Sequence, residues 1–459
     1  MPIVDVSTVQ QAIDAIQGVH AGDEIVFAAG DYAFTGNINA SAVGTQAAPI
    51  KVHGPAAGGV NITFGSATTT IEGFKVSGAY WEFSNLNVTG TCTDDSMCEH
   101  SFHVFGAADH FSLHDCQLQD FNAEIKVNAS VTGNTGVQPN MGRIYHNKIG
   151  DTRGRNTSNP VTKVNMDTGD DWVVSDNVIY DAHKLAGDET SYAAFMKSGG
   201  HRGTYERNVV FCDRGGPGAN GGTRIGLSFG GGGTDPAFCA PAYNSNTPCV
   251  VEHTDGIIRN NFILNCSDVG VYLNKATNTK VLFNTLIDTS GIDYRFSTTS
   301  GDAYGNVLAG KIHPRDSGTV NAVMNLTDVT HDQFAQWYPH YMDGDFSGGT
   351  DVATAVGSAP ARAEVTDDFC GRTRPAGTDT RGAIEHTLGD CASAPPPDNN
   401  DGSLGGRDDV PFGDDDDGGG GGSGGCCEAS GGNPAGSLIL FGALFAIGRA
   451  TPRRRRRPK

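Results

Sequence analysis

The sequence predicts an all-β chain wound as a parallel β-helix, a solenoid of short stacked strands with a helix over its first turn. Three observations predict it. A turn signature recurs in which Asn or Asp follows a short β-prone run and precedes apolar residues. Its instances are Asn85, Asp115, Asn147, Asn177, Asn208, Asn261, Asn284 and Asn306. The last three lie 23 and 22 residues apart (284 − 261, 306 − 284), about one solenoid turn, and the earlier steps are longer. Composition agrees: 64 glycines with only 18% charged residues point to many turns rather than long exposed helices.

Taken in order, Ser7 to Val19 has helical spacing with Ser7 or Thr8 as N-cap. Gly22–Phe27, Gly30–Phe34 and Pro49–His53 follow as strands after turns. Such a helix covers the open end of a solenoid, which otherwise exposes core and strand edge. The recurring Asn suits an αL corner, and its amide can bond neighbouring backbone as a ladder. The longest insertion reads as Asp213 to Val250. Past Gly310 the repeat fades, and Thr330–Tyr338 reads as a short helix closing or flanking the end.

The expected domains are a β-helix over residues 1–390, a Pro/Asp/Gly-rich linker over 391–425 and a terminal segment over 426–459. The net charge of −20 argues against nucleic acid, since phosphate binding needs a basic stripe. Eleven cysteines show no CxxC pair, while Cys92 with Cys98, Cys239 with Cys249 and Cys370 with Cys391 lie close in loop-like text. That pattern suits disulfides in an exported protein. Met1-Pro-Ile-Val-Asp-Val has neither the basic nor the apolar part of a signal peptide.

The opening text Gly22-Asp-x-Ile-Val-Phe-x-x-Gly30-x-Tyr32 resembles the entrance of right-handed parallel β-helix proteins. Asp368–Pro375 and Arg381–Glu385 resemble the closing text of bacterial members. The tail, Cys426-Cys427, then Leu438–Ile447, then Arg453–Arg457, resembles myxobacterial C-terminal sorting signals. That likeness implies cleavage near the cysteines and attachment to the cell envelope. The apolar run is about half of the roughly 20 residues a membrane span needs. The expected location is therefore extracellular, at the cell surface or outer membrane, and the expected state a monomer.

One constellation looks like chemistry. Tyr192–Gly200 carries Lys197, Gly222–Gly233 carries Arg224, and glycines follow both cations. Two such residues on adjacent strands would share one face a single rung apart. Lys197-Ser-Gly-Gly200 and Arg224-Ile-Gly with Gly230–Thr234 resemble a bacterial β-helix family with paired Lys-Gly-Gly-Ser and Arg rungs, and Arg295 stands at a later arginine of that pattern. Lys197-Ser198 is also similar to a rung of polysaccharide lyase family 6, which includes chondroitinase B and alginate lyases and uses a Lys/Arg pair.

That resemblance implies a lyase acting on acidic polysaccharide. Lys197 would be the base for the C5 proton, and Arg224 or Arg295 would clamp the uronate carboxylate. The family's calcium ligands, seven and five positions before the lysine, fall here on Thr190 and Tyr192. Asp188 and Glu189 are the nearest acids and so the candidate Ca2+ ligands, with Asp167, Asp170 and Asp171 as alternatives. The Gly169-Asp-Asp171 turn lacks the companion motifs of a polygalacturonase. The rival class is a non-catalytic surface or adhesive solenoid, in which Lys197 belongs to a structural ion pair with Glu189 or Asp213.

Overall fold

The computed structural model describes residues 2–231, 233–348 and 351–389. The chain winds as a right-handed parallel β-helix with walls of twelve, ten and ten strands. One turn shows the path. Thr204–Glu206 lies in the twelve-stranded wall, Val209–Phe211 in the second, and Thr223–Phe229 in the third. The third is called here the Lys197 sheet, because Thr190–Lys197 is one of its central strands. Every strand of the walls pairs in parallel with its counterpart one turn away, so an inward position repeats inward up the stack. Val60, Ile62 and Phe64 alternate inward in this way, and Phe34, Phe64, Phe74 and Phe102 pile ring on ring at 5.1–5.3 Å.

The first helix spans Val9–Gly18, and Thr8 caps it by accepting from the Gln11 amide. Its buried residues Ala12 and Ile16 close the bottom of the core. Burying one isoleucine of this kind contributes about 1.5–3 kcal/mol. Ahead of it Ile3–Val6 adds an edge strand that the sequence reading lacked. At the other end His331–Trp337 is a helix with a full capping box between Thr330 and Gln333. It flanks the barrel rather than plugging it. Phe334, Trp337 and Tyr338 pack with Phe262, Phe211 and Val209 on the outer side of the second wall.

The asparagine ladder is real, but it works by burial rather than by αL geometry. Asn177 Oδ1 accepts from the Asn147 amide at 3.0 Å and from Asn147 Nδ2 at 3.0 Å. Its own Nδ2 donates to Ile144 O and Ser175 O, both at 2.9 Å. Asn208, Asn261, Asn284, Asn306 and Asn325 repeat the pattern upward. The αL residue is the one before each of them, such as Asp176 (φ 57°) and Arg207 (φ 52°). Asn85 (φ 56°) and Asp115 (φ 54°) therefore occupy the preceding position. Their ladder places belong to Leu86 and Cys116, and the Cys116 amide donates to Asn147 Oδ1 at 3.0 Å. The turn needs two adjacent residues with different tasks, and a single-letter repeat merges them.

Disulfides join Cys92 to Cys98 and Cys239 to Cys249 as expected, and Cys212 to Cys266 across two turns. Cys370 is disulfide-bonded, while Cys391 lies outside the described residues, as do the linker and the Cys-apolar-Arg tail. Among the described residues no helix is long and apolar enough to cross a membrane. The expected insertion Asp213–Val250 is not one loop, because Thr223–Phe229 inside it is a rung of the Lys197 sheet. What remains is a short turn before that strand and a longer loop after it.

Replacing a buried ladder residue strands the amide of its counterpart one turn below. Asn208→Ala is expected to cost about 1–3 kcal/mol, while Asn325→Ala at the half-buried upper end costs less. Denaturant unfolding of both variants checks the order.

Candidate functional site

The outward side chains of the Lys197 sheet fall into two columns set by strand register. The first runs His103, Lys126, Asn165, Phe195, Ser228, Tyr272, Asp293 and His313. The second holds Phe105, Asn128, Asp167 and Lys197, and carried two rungs further it reaches Asn274, Arg295 and Arg315. Rungs are about 4.8 Å apart, so Lys197 and Arg295 stand roughly 14 Å apart at the backbone, three rungs along one line.

At the centre, Asp167 lies between two lysines. Lys126 Nζ bonds its Oδ2, and Lys197 Nζ stands 3.2 Å from its Oδ1. Burial opposes ionisation of Asp167, but the two ammonium groups outweigh it and hold the carboxyl well below the usual carboxylate range. Two cations sharing one anion leave this spot one positive charge in excess. Lys197 is further fixed by a bond to Gly233 O at 2.9 Å and by the Phe195 ring 4.6 Å below its nitrogen. Its side chain is only 8% exposed.

The loop after Thr223–Phe229 makes that cover. A Cβ at Gly231 would stand 3.4 Å from the Phe195 ring and 3.7 Å from Lys197 Cδ, so the backbone rests on this side chain. Glu252, at the far end of the loop, accepts from the Ser198 amide at 2.9 Å and from Thr234 Oγ1 at 2.7 Å. Further out, Tyr243 OH reaches Gln138 Oε1 at 2.7 Å, and the Cys239–Cys249 disulfide braces the span between.

Arg295 donates from Nε to Asp316 at 2.6 Å and from Nη1 to the Tyr272 hydroxyl at 3.0 Å. Tyr272 belongs to an apolar patch with Tyr192, Phe195, Ile225 and Val269 on the outer face. Three turns below Lys197, His103 Nδ1 faces Glu72 at 3.1 Å, and Lys75 also bonds that carboxylate. The His103 bond, against burial and helped by Lys75, lowers Glu72 to about 2.

Arg224 is not part of this line. Its register partner is Ser191, six residues before Lys197, so the two backbones stand roughly 20 Å apart along the strands. The residue is 1% exposed, and its Nη1 donates to Glu189 O at 3.2 Å and Ser191 Oγ at 3.4 Å. The expectation that Lys197 and Arg224 form one site fails for this reason: adjacent strands share a sheet, but the cations sit at opposite ends. Nor does Lys197 pair with Glu189 or Asp213, which lie at the Arg224 end.

The candidate calcium ligands are also placed away from Lys197. Asp188 Oδ1 pairs with Lys184 Nζ at 2.5 Å, and Glu189 lies beside Arg224. Thr190 and Tyr192, where the family ligands would fall, offer no carboxylate, and Tyr192 packs against Phe195. Asp170 and Asp171 bind His201 and Arg202. The carboxylate that Lys197 meets is Asp167, already held by two lysines, and Glu252 nearby is engaged by the Ser198 amide and Thr234. This donor set does not fit a calcium ion.

Sequence reasoning missed Lys126, His103 and Tyr272. Lys126-Val-Asn128 and Lys163-Val-Asn165 carry the same text, yet Lys126 is in register with Asn165. Lys163 instead turns inward and is fully buried between Glu124 (3.2 Å) and Asp151 (2.7 Å). Aligning rungs by strand rather than by tripeptide would have separated the two.

The chondroitinase B family model matches residues 4–228, a span that contains Lys197 but ends before Arg295. Among solved structures, pectate lyase Pel9A superposes with a TM-score of 0.51 at 15% identity, covering 81% of this chain and 90% of that one. An alginate lyase from Paenibacillus sp. str. FPU-7 gives a TM-score of 0.42 at 15% identity, covering 71% and 99%. No curated protein sequence matches the chain. The chain is a parallel β-helix protein distantly similar to polysaccharide lyase family 6.

Two predictions follow from the electrostatics. Arg224→Met removes the buried guanidinium and its bonds to Glu189 O and Ser191 Oγ beside Asp213, and the melting temperature is expected to fall by a few degrees. Glu124 and Asp151 share one ammonium, and burial pushes them up to about 8 and about 7. Both folded values exceed the unfolded ones, so the native state binds more protons and stability falls as pH rises through that window. Melting curves between about pH 6 and 9 should show this fall, flattened in Glu124→Gln.

Proposed function

We propose that this chain is an exported β-helix protein that binds acidic polysaccharide along the outer face of the Lys197 sheet and cleaves it by β-elimination. The observation that carries the reading is the excess positive charge at Lys126–Asp167–Lys197, in line with Arg295 and flanked by Phe195 and Tyr272. Uronate carboxylates are drawn to such a line of positive charge. Substrate classes named for the similar proteins, chondroitin, alginate and pectate, are all acidic glycans. Three disulfides among the described residues fit an oxidising compartment.

In this reading Arg295 exchanges Asp316 for the substrate carboxylate, which its planar fork can hold by two bonds. Lys197, as the free amine, takes the C5 proton. The electron pair forms the C4–C5 double bond, and the bond to the leaving oxygen breaks. The ammonium so formed can return its proton to that oxygen, which balances the step. No calcium enters, because the donor set beside Lys197 does not fit one. The segment over Lys197 must lift for sugar to reach the nitrogen.

The same cover favours a second reading. A lysine 8% exposed, ion-paired and bonded to a carbonyl is what a purely structural lysine looks like. A glycan-binding or display solenoid would then keep the charged face without turnover.

Product formation separates the two. On alginate, chondroitin and pectate, the ultraviolet absorbance of an unsaturated uronate should appear with the parent and vanish in Lys197→Met. The fold should survive that change, since Asp167 keeps Lys126. Arg295→Gln should raise KM as well as lower kcat. Because the base must shed its proton, kcat/KM should rise with pH along the acid limb. If no glycan is cleaved by the parent and Lys197→Met melts several degrees lower, the display reading stands.

A further inference from the structure

The corner between the second wall and the Lys197 sheet holds a cluster that the polysaccharide reading does not use. After Val178–Tyr180 the chain turns through Asp181 and His183, and one turn later Asp213 follows Val209–Phe211 at the equivalent corner. All three are buried, and one ligand atom from each lies within 4.8 Å of the others. His183 Nε2 stands 3.5 Å from Asp213 Oδ2 and 3.8 Å from Asp181 Oδ1. These separations are too long for well-formed hydrogen bonds. They are close to the roughly 3.4 Å edge of a tetrahedron whose centre lies about 2.1 Å from each corner.

A second, independent feature points to a ligand. His183 Nε2 is buried and has no hydrogen-bond partner, and its side chain is only 9% exposed. An orphaned buried nitrogen costs free energy unless something binds it. The carboxylates, by contrast, are oriented from behind. Asp213 Oδ1 accepts from the Gly215 amide (2.9 Å) and Asn220 Nδ2 (2.8 Å), and its Oδ2 from the Asn220 amide at 3.1 Å. Asp181 accepts from the Arg214 amide (2.8 Å) and from Arg214 Nε (2.5 Å). Supporting bonds of this kind aim metal ligands. The nearby charge leaves room for a cation: Asp181, Asp213 and Glu189 stand against Arg214 and Arg224, while Lys163, the further cation acting on His183, is itself paired with Glu124 and Asp151.

We propose that Asp181, His183 and Asp213 form a binding site for one divalent transition-metal ion of the zinc class, with a fourth position open to water. An imidazole nitrogen with two carboxylates suits zinc, and calcium prefers oxygen alone. The ion clips two consecutive turns of the solenoid together. Cys212, next to Asp213, already clips the second of these turns to the following one through Cys266. The site lies at the opposite end of the strands from Lys197, so its role is structural and independent of any lyase activity.

The test uses the full chain, stripped with chelator and titrated with zinc chloride by calorimetry, with calcium chloride as a parallel arm. Zinc should bind at one equivalent per chain, raise the melting temperature by a few degrees and outcompete calcium. Cobalt chloride should give the visible absorption of a tetrahedral nitrogen–oxygen site. His183→Gln should abolish both signals. Should that variant fold poorly by circular dichroism, Asp181→Asn, which keeps one acceptor oxygen for Arg214, should weaken zinc at least tenfold. The proposal is overturned if the parent takes up no stoichiometric zinc, if calcium binds as tightly, or if a folded variant binds zinc unchanged.

Discussion

The buried asparagine ladder fixes the pitch on which every other feature depends. Each Asn side chain bonds the amide of its counterpart one turn below, so a turn cannot slip without breaking several bonds in a dry interior. Once register is locked there, the outward columns of the Lys197 sheet are locked as well. Asp167 meets Lys197 and Tyr272 meets Asp293 because ladder residues a corner away are aligned. The ladder begins only at Asn147. Below it, stacked phenylalanines hold the turns, a less directional means of the same stacking.

Much of this fold was legible in the sequence because a solenoid writes its structure at a fixed period. The capping helix, its Thr8 cap, the strand Gly30–Phe34 and the flanking helix near Thr330 all followed from local patterns. The site was less legible. Lys197 and Arg224 have similar neighbours, yet strand length and register put them at opposite ends of the sheet. Register depends on where each strand begins, and Asp213–Gly222 delays the second strand by an amount that composition does not reveal. Lys126 escaped for the converse reason: its tripeptide repeats at Lys163, whose side chain faces the other way.

The two ends of the Lys197 sheet differ in how they handle charge. At the ends where its central strands begin, Lys163, Glu124 and Asp151 are sealed from water and bonded to one another, an arrangement that is costly to break. Toward the other ends, Asp167, Arg295, His103 and Glu72 keep partial exposure, and the cations there exceed what Asp167 alone can neutralise. Partial exposure with imbalance is what a charged polymer can read. Full burial with balance is what a fold needs.

The loop that follows Thr223–Phe229 decides which of these descriptions applies to Lys197. It is anchored at both ends by strong bonds, through Gly230 to Met196 and through Glu252 to Ser198. Between them a hydrogen bond to Gly233 O ties the lysine nitrogen to this loop. A hydrogen bond between neutral groups contributes about 0.5–1.5 kcal/mol and one to a charged group about 1.5–3, so the bond to Gly233 O is a weaker tie than the contact with Asp167. Displacing Asp167 would be harder, since it is buried and held by two cations. In the proposed reading a substrate would therefore approach the Lys126–Asp167–Lys197 group from the loop side and leave the Asp167 pairs intact.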